Sequence, residues 1–213
     1  MSHKMRGSKM ENKGCFIDGG WVTTAERLEV LSPWSGEVVN EVSLAGPGEW
    51  DAAIQAAVGA AVTLRKMSSQ ERRRMLGALM AGVKERQGEL AQTIVAEGGK
   101  PITYARAEVS RGIMTLALAA GEAERLGGEV LPLDLTRSSA GRWGITRRFP
   151  IGPVLGITPF NFPLNLVLHK VAPALAAGNP IIIKPASKCP LTALKLAEIW
   201  DQAGLPAGGL QVL

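Results

Sequence analysis

The sequence predicts an α/β fold: a partial, truncated parallel sheet of the Rossmann type, with flanking helices and β-hairpin segments. Three observations lead there. Short apolar runs alternate with helix-length segments across 151–213, apolar residues recur at helical spacing through 49–126, and β-prone runs broken by turn residues occupy 15–43 and 129–150.

The elements follow in order. The opening MSHKMRGSKM is basic and polar with no apolar block, so residues 1–12 are expected to form a tail, with Met10 available as a second start. Residues 13–128 are expected to hold amino-terminal hairpins and helices. Within them, Gly19-Gly20 and Ser35-Gly36 punctuate short β-prone runs, which predicts a pair of hairpins over 15–43. After Pro47 and Gly48, the positions Trp50, Ile54, Ala57, Val58, Ala61 and Leu64 trace an amphipathic helix. Ser68 and Glu71 have capping-box spacing, in which each side chain satisfies the other residue's backbone N–H. The stripe Leu76, Leu79, Met80, Val83, Leu90, Ile94 and Val95 continues the helical period. It is interrupted near Gly88 and ends at Gly98-Gly99-Lys100-Pro101. A further helix is expected over 103–126, ending at Gly127-Gly128, and 129–150 reads as two strands around 138–141.

From Ile151 the expected order is strand 154–158, helix 164–177, strand 181–184, helix 190–203 and strand 210–213. Short apolar strands separated by such helices imply right-handed crossovers and parallel pairing. A doubly wound sheet normally has about five or six strands, so a βαβαβ run of three is expected to be a truncated sheet.

Composition narrows the partners. The chain has 213 residues, 46% of them hydrophobic and 20% charged, and no stretch nears the roughly 18 uninterrupted apolar residues of a membrane span. No membrane partner is expected. Cys15 and Cys189 are too few and too far apart for a disulfide framework or a zinc site, which makes a reducing cytoplasm the expected location. The net charge of +5 is spread among acidic residues, the runs at 72–74 and 147–148 are short, and one Tyr and four Phe build no stacking surface. These cations read as solvated helix faces, so no nucleic-acid partner is expected, and an anionic cofactor suits the charge. Neither G-x-G-x-x-G nor a P-loop pattern occurs.

Gly152-Pro-Val-Leu-Gly-Ile-Thr-Pro-Phe-Asn-Phe-Pro-Leu-Asn165 and Ala172-Pro-Ala-Leu-Ala-Ala-Gly-Asn-Pro-Ile-Ile-Ile-Lys-Pro-Ala-Ser187 resemble, in order and spacing, a stretch of the aldehyde dehydrogenase superfamily. So do Phe16-Ile-Asp-Gly-Gly-Trp21, Ser32-Pro-Trp-Ser-Gly-Glu37 and Glu97-Gly-Gly-Lys-Pro101. The resemblance covers about residues 15–213 and leans toward the lactaldehyde, non-phosphorylating glyceraldehyde-phosphate and semialdehyde members. It implies an aldehyde dehydrogenase-like fold in which 13–128 and 151–213 serve the cofactor-binding domain, 129–150 is the hairpin of an oligomerisation segment, and the catalytic domain is absent. A homo-oligomer is implied for the full-length enzyme.

A carboxamide in a turn after a parallel strand lies at the carboxyl edge of the sheet, where ligands of such folds bind. Taken alone, Asn161 also suits a turn. The resemblance implies that its side-chain N–H donates to the oxygen of a small-molecule aldehyde as that oxygen becomes an anion. Lys184 ends a buried strand before Pro185 and by its pattern could simply snorkel to solvent. By resemblance it lies along the adenosine ribose. Ser187 stands where many NAD-specific members carry Glu, and a hydroxyl tolerates a 2′-phosphate that a carboxylate repels. The implied cofactor is therefore NADP, or both NADP and NAD. Ile157, Thr158, Phe160 and Ala186 are expected along the same groove, with core or turn packing as the ordinary role of the first three.

Arg111 resembles a position that contacts anionic substrates in some glyceraldehyde-phosphate relatives, although an exposed helix arginine explains it as well. Cys189 is not at the family's nucleophile position and reads as a packing residue. His169 lacks a Ser or acid at triad spacing and reads as a helix-surface or core histidine. The implied activity is NAD(P)-dependent oxidation of an aldehyde to a carboxylic acid, by an enzyme of which this chain is an amino-terminal fragment lacking the nucleophilic Cys and the base Glu, and inactive alone. The second reading is a non-catalytic pseudoenzyme or binding subunit that pairs its open sheet with another chain.

Overall fold

Asp18 and Gly19 both take positive φ, 50° and 76°, between strands β1 (Cys15–Ile17) and β2 (Gly20–Val22). Two such residues make the mirror-image turn whose twist matches a tight antiparallel hairpin, and an Asp-Gly pair adopts it at little cost. A second hairpin, β3 (Arg27–Leu31) with β4 (Val38–Ser43), carries an irregularity at Val30/Leu31. The computed structural model describes residues 14–213; the tail expected over 1–12 lies outside the described residues.

Four helices follow: α1 (Pro47–Lys66), α2 (Ser69–Glu85), α3 (Gln87–Gly98) and α4 (Ile102–Ala123). The capping box is present, with Ser68 Oγ accepting the Glu71 N–H at 3.2 Å and the Glu71 carboxylate accepting the Ser68 N–H at 2.6 Å. The break in the long stripe falls at Arg86, two residues before the expected Gly88. Arg86 ends α2 and starts α3 while its guanidinium spans Glu89 at 2.7 Å and Glu198 at 2.6 Å. Strands β5 (Val130–Pro132) and β6 (Trp143–Ile145) form the hairpin expected within 129–150.

The remainder alternates as read from the sequence: β7 (Val154–Ile157), α5 (Asn165–Ala176), β8 (Ile181–Lys184), α6 (Leu191–Gln202) and β9 (Leu210–Val212). The three strands pair in parallel, with Ile157 opposite Lys184 and Ile183 opposite Val212. The first hairpin extends this sheet, since β1 runs antiparallel to β9 through Phe16 and Val212, giving the order β2-β1-β9-β8-β7.

Residues alternate between the two faces of the sheet. Cys15, Ile17 and Ile182 face α1 through Ala53 and Ala57. Phe16, Ile181, Ile183, Leu210 and Val212 belong to the larger core, into which α5 and α6 pack. Outside them lies a layer of α2, α3 and α4. No helix among the described residues is long and apolar enough to cross a membrane.

Candidate active site

Strands β7 and β8 end side by side at the carboxyl edge. The Thr158 N–H donates to the Lys184 carbonyl at 3.1 Å, so the 158–161 turn and the 184–187 exit leave the sheet as neighbours. Thr158 is buried, whereas the side chains of Ile157 (63% exposed) and Phe160 (56%) stand open to solvent. The Lys188 ammonium lies 5.5 Å from the Phe160 ring centroid and links the two loops by a cation–π contact. Lys184 donates to the Pro185 carbonyl at 3.2 Å, and the Ala186 carbonyl accepts the Cys189 N–H at 3.0 Å. Ser187 is exposed and borders two cavities, of about 130 Å³ beside α1 and β4 and about 510 Å³ beside β3 and Glu97.

The structure thus gathers Ile157, Thr158, Phe160, Asn161, Lys184, Ala186 and Ser187 at one edge. Segments 157–161 and 184–188 contain two lysines and no acid. Ammonium and hydroxyl donors beside exposed apolar side chains suit an anionic nucleotide with flat rings.

The turn bearing Asn161 is held from the helical layers. Glu108 on α4 is fully buried, and its Oε1 accepts the N–H groups of Leu164 at 3.0 Å and Asn165 at 3.2 Å, at the start of α5. Its other oxygen pairs with Lys100, which also donates to the Asn161 carbonyl at 2.8 Å. Lys100 Nζ and the Arg111 guanidinium stand 4.1 Å and 4.9 Å from the Phe162 ring centroid. Arg111 itself is exposed.

Glu97 does for α6 what Glu108 does for α5. It is buried, and it accepts the N–H of Leu191 at 2.7 Å, the N–H of Thr192 at 3.0 Å and the Thr192 hydroxyl. Burial pushes its carboxyl up to about 7, against the opposing pull of those three donors. Between Glu97 and Lys100, Gly99 ends α3 at φ 63°, and a side chain there would stand 2.8 Å from the Pro33 ring.

Sequence reasoning assigned no role to Glu97, Lys100 or Glu108. A signal for the acids existed. Glu97 continues the buried stripe Leu90 and Ile94, and Glu108 lies between Ala105, Val109 and Gly112 on the buried face of α4. An acid on an apolar stripe must have a buried partner.

Neither cysteine is poised for attack. Burial, with the Glu97 charge adding to it, pushes the Cys189 thiol up to about 12; burial, then the Glu49 charge, pushes Cys15 to about 11. Cys189 Sγ donates to the Glu97 carbonyl at 3.5 Å, as befits a packing residue. His169 lies exposed on α5, in the wall of an apolar groove with Leu118 and Leu126 and apart from the strand edge.

Comparison with known proteins bears on the same residues. The model of the aldehyde dehydrogenase family matches residues 21–213. The 3-sulfolactaldehyde dehydrogenase of Priestia aryabhattai is 41% identical over 206 residues, 97% of this chain and 43% of that relative. The crystal structure of aldehyde dehydrogenase 21 from Physcomitrella patens, in complex with the reaction product succinate, is similar with a TM-score of 0.89 and 42% identity. The similarity covers 95% of this chain and 43% of that one. The NADP-dependent glyceraldehyde-3-phosphate dehydrogenase from Bacillus halodurans C-125, complexed with NADP, has a TM-score of 0.90 and 34% identity over 95% of this chain and 43% of its own. The chain spans less than half the length of these relatives. The matched residues include the three parallel strands and the whole of the edge where Asn161, Lys184 and Ser187 meet, and the chain belongs to the aldehyde dehydrogenase family.

Proposed function

We propose that residues 14–213 supply the cofactor groove and the oxyanion donor of an NAD(P)-dependent aldehyde dehydrogenase that converts an aldehyde to a carboxylic acid. The observation that carries this reading is the Thr158 to Lys184 hydrogen bond, which sets the Asn161 turn against the Lys184–Ser187 exit at the ligand-binding edge of a parallel sheet. In this reading the Asn161 carboxamide N–H donates to the aldehyde oxygen as negative charge grows on it. A donor that meets charge developing in the transition state contributes about 3–4 kcal/mol. Lys184 and Ser187 would hold the adenosine end, with the ammonium favouring a 2′-phosphate and the neutral hydroxyl able to donate a hydrogen bond to it. Ile157, Thr158, Phe160 and Ala186 line the approach. The bound dinucleotide supplies the two-electron acceptor. Because both thiols are buried and resist ionisation, the nucleophile and the general base are assigned to sequence that the relatives carry outside the matched stretch.

The substrate class we propose is a small aldehyde with an anionic end. The names of the relatives, a sulfonated lactaldehyde dehydrogenase and an enzyme bound to succinate, are of that kind. Arg111, beside Phe162 and next to the Asn161 turn, would supply the counter-charge. The β5–β6 hairpin, with Val130, Trp143 and Ile145 each about two-thirds exposed, is proposed as the oligomerisation segment. A second reading, a binding subunit, draws on the outer edge of β7, which has no strand partner among the described residues and where Leu155 and Ile157 are exposed.

The test is Asn161→Ala in the full-length protein. We expect kcat to fall by roughly 10²–10³ with cofactor affinity unchanged, because the interaction forms in the transition state. An unchanged kcat reduces Asn161 to a turn residue, whereas a full-length protein without measurable turnover favours the binding-subunit reading.

A further inference from the structure

We propose that Lys100 and Glu108 act as a clamp on the turn that carries Asn161, which makes Lys100 a positioning residue for the oxyanion donor; this rests on the reading of Asn161 given above. One carboxylate oxygen of Glu108 holds the downstream end of the turn through the Leu164 and Asn165 N–H groups. The other holds Lys100, whose ammonium grips the upstream end through the Asn161 carbonyl at 2.8 Å. An ammonium has three donors, so it can meet both acceptors at once while its third side faces the Phe162 ring at 4.1 Å. The five residues from 161 to 165 are thereby fixed at both ends to one helix and one helix-entry segment. Glu108 is fully buried, and its α4 packs along α5, so the clamp ties an exposed loop to the packed helical layers.

The position of a donor matters because a charge-stabilising group must be held within roughly 0.5 Å of its productive place. A displacement of about 1 Å caused by a remote change can lower the rate about a hundredfold. Lys100 touches only the backbone of Asn161, so its loss should move the carboxamide without removing it.

Removing Lys100 alone would also leave a buried, unpaired carboxylate, which is destabilising in itself. The experiment therefore uses the neutral pair Lys100→Met with Glu108→Gln, in which the Gln oxygen can still accept from Leu164 and Asn165. In the full-length protein we expect kcat to fall about tenfold or more, with cofactor Kd and unfolding temperature nearly unchanged. In an Asn161→Ala background, which keeps the carbonyl and removes the amide, the same pair should cause no further loss. A wild-type kcat in the pair, or a loss that multiplies with that of Asn161→Ala, overturns the clamp. If Asn161→Ala alone leaves kcat unchanged, the oxyanion reading fails first and takes the clamp with it, so the two failures are distinguishable. Should the pair lower the unfolding temperature, Lys100→Arg replaces it: the guanidinium keeps a positive charge on Glu108 but does not reproduce the ammonium's compact contact with both acceptors, and the same outcomes decide.

Discussion

At the scale of single residues, the cofactor preference proposed above turns on Ser187. Its hydroxyl is exposed at the end of the β8 exit, within a few residues of the Lys184 ammonium. If these two side chains flank the adenosine ribose, the protein should use NADP at least as well as NAD. Ser187→Glu should then shift preference toward NAD, because a carboxylate accepts hydrogen bonds from both ribose hydroxyls and repels a 2′-phosphate. The readout is the ratio of kcat/KM for the two cofactors in the full-length protein before and after substitution, where each tenfold change corresponds to about 1.4 kcal/mol. A ratio that does not move would place position 187 away from the ribose. Ser187 closes the long motif 172–187; that it borders two cavities follows only from the way β3, β4 and α1 close around the strand exit.

At the scale of elements, two buried glutamates on outer helices cap two inner ones: Glu97 of α3 on α6, and Glu108 of α4 on α5. The first turn of a helix has N–H groups without internal partners and a partial positive charge, and a carboxylate answers both. Glu97→Ala should cost about 2–4 kcal/mol, since it strands the buried N–H groups of Leu191 and Thr192. Glu97 also predicts a pH dependence. Its carboxyl titrates near 7 when folded and near the ordinary value of 4.5 when unfolded, so the folded state binds more protons in between. The stability contributed by the protonated form is therefore complete below about pH 4.5 and is lost as pH rises through about 7. Urea unfolding free energies should fall across that window, and Glu97→Gln should flatten the decline. An equal slope in the variant would assign the titration to another group.

At the scale of the whole molecule, the 213-residue chain taken alone should oxidise no aldehyde, because its two thiols are pushed to about 11 and 12 and are buried. Turnover by the purified chain that disappears on Cys189→Ser would overturn the assignment of that thiol to packing. The helices, the parallel strands, the hairpins and the Ser68–Glu71 cap were all legible in the sequence, because each is written as a local period or a turn pair a few residues long. Asn161 and Ser187 stand out in the sequence for a different reason, as parts of long motifs, and their roles are proposals. The addition of β1 beside β9 left no such trace: Phe16 and Val212 lie at opposite ends of the described chain, and strand pairing leaves no period in either. The same holds for Glu97 on α6 and for Lys100 and Glu108 on the Asn161 turn. A helical stripe tells which face is buried, and an acid on it tells that a partner exists. Which backbone donors that acid meets was decided only when α3 and α4 packed across the amino-terminal ends of α6 and α5.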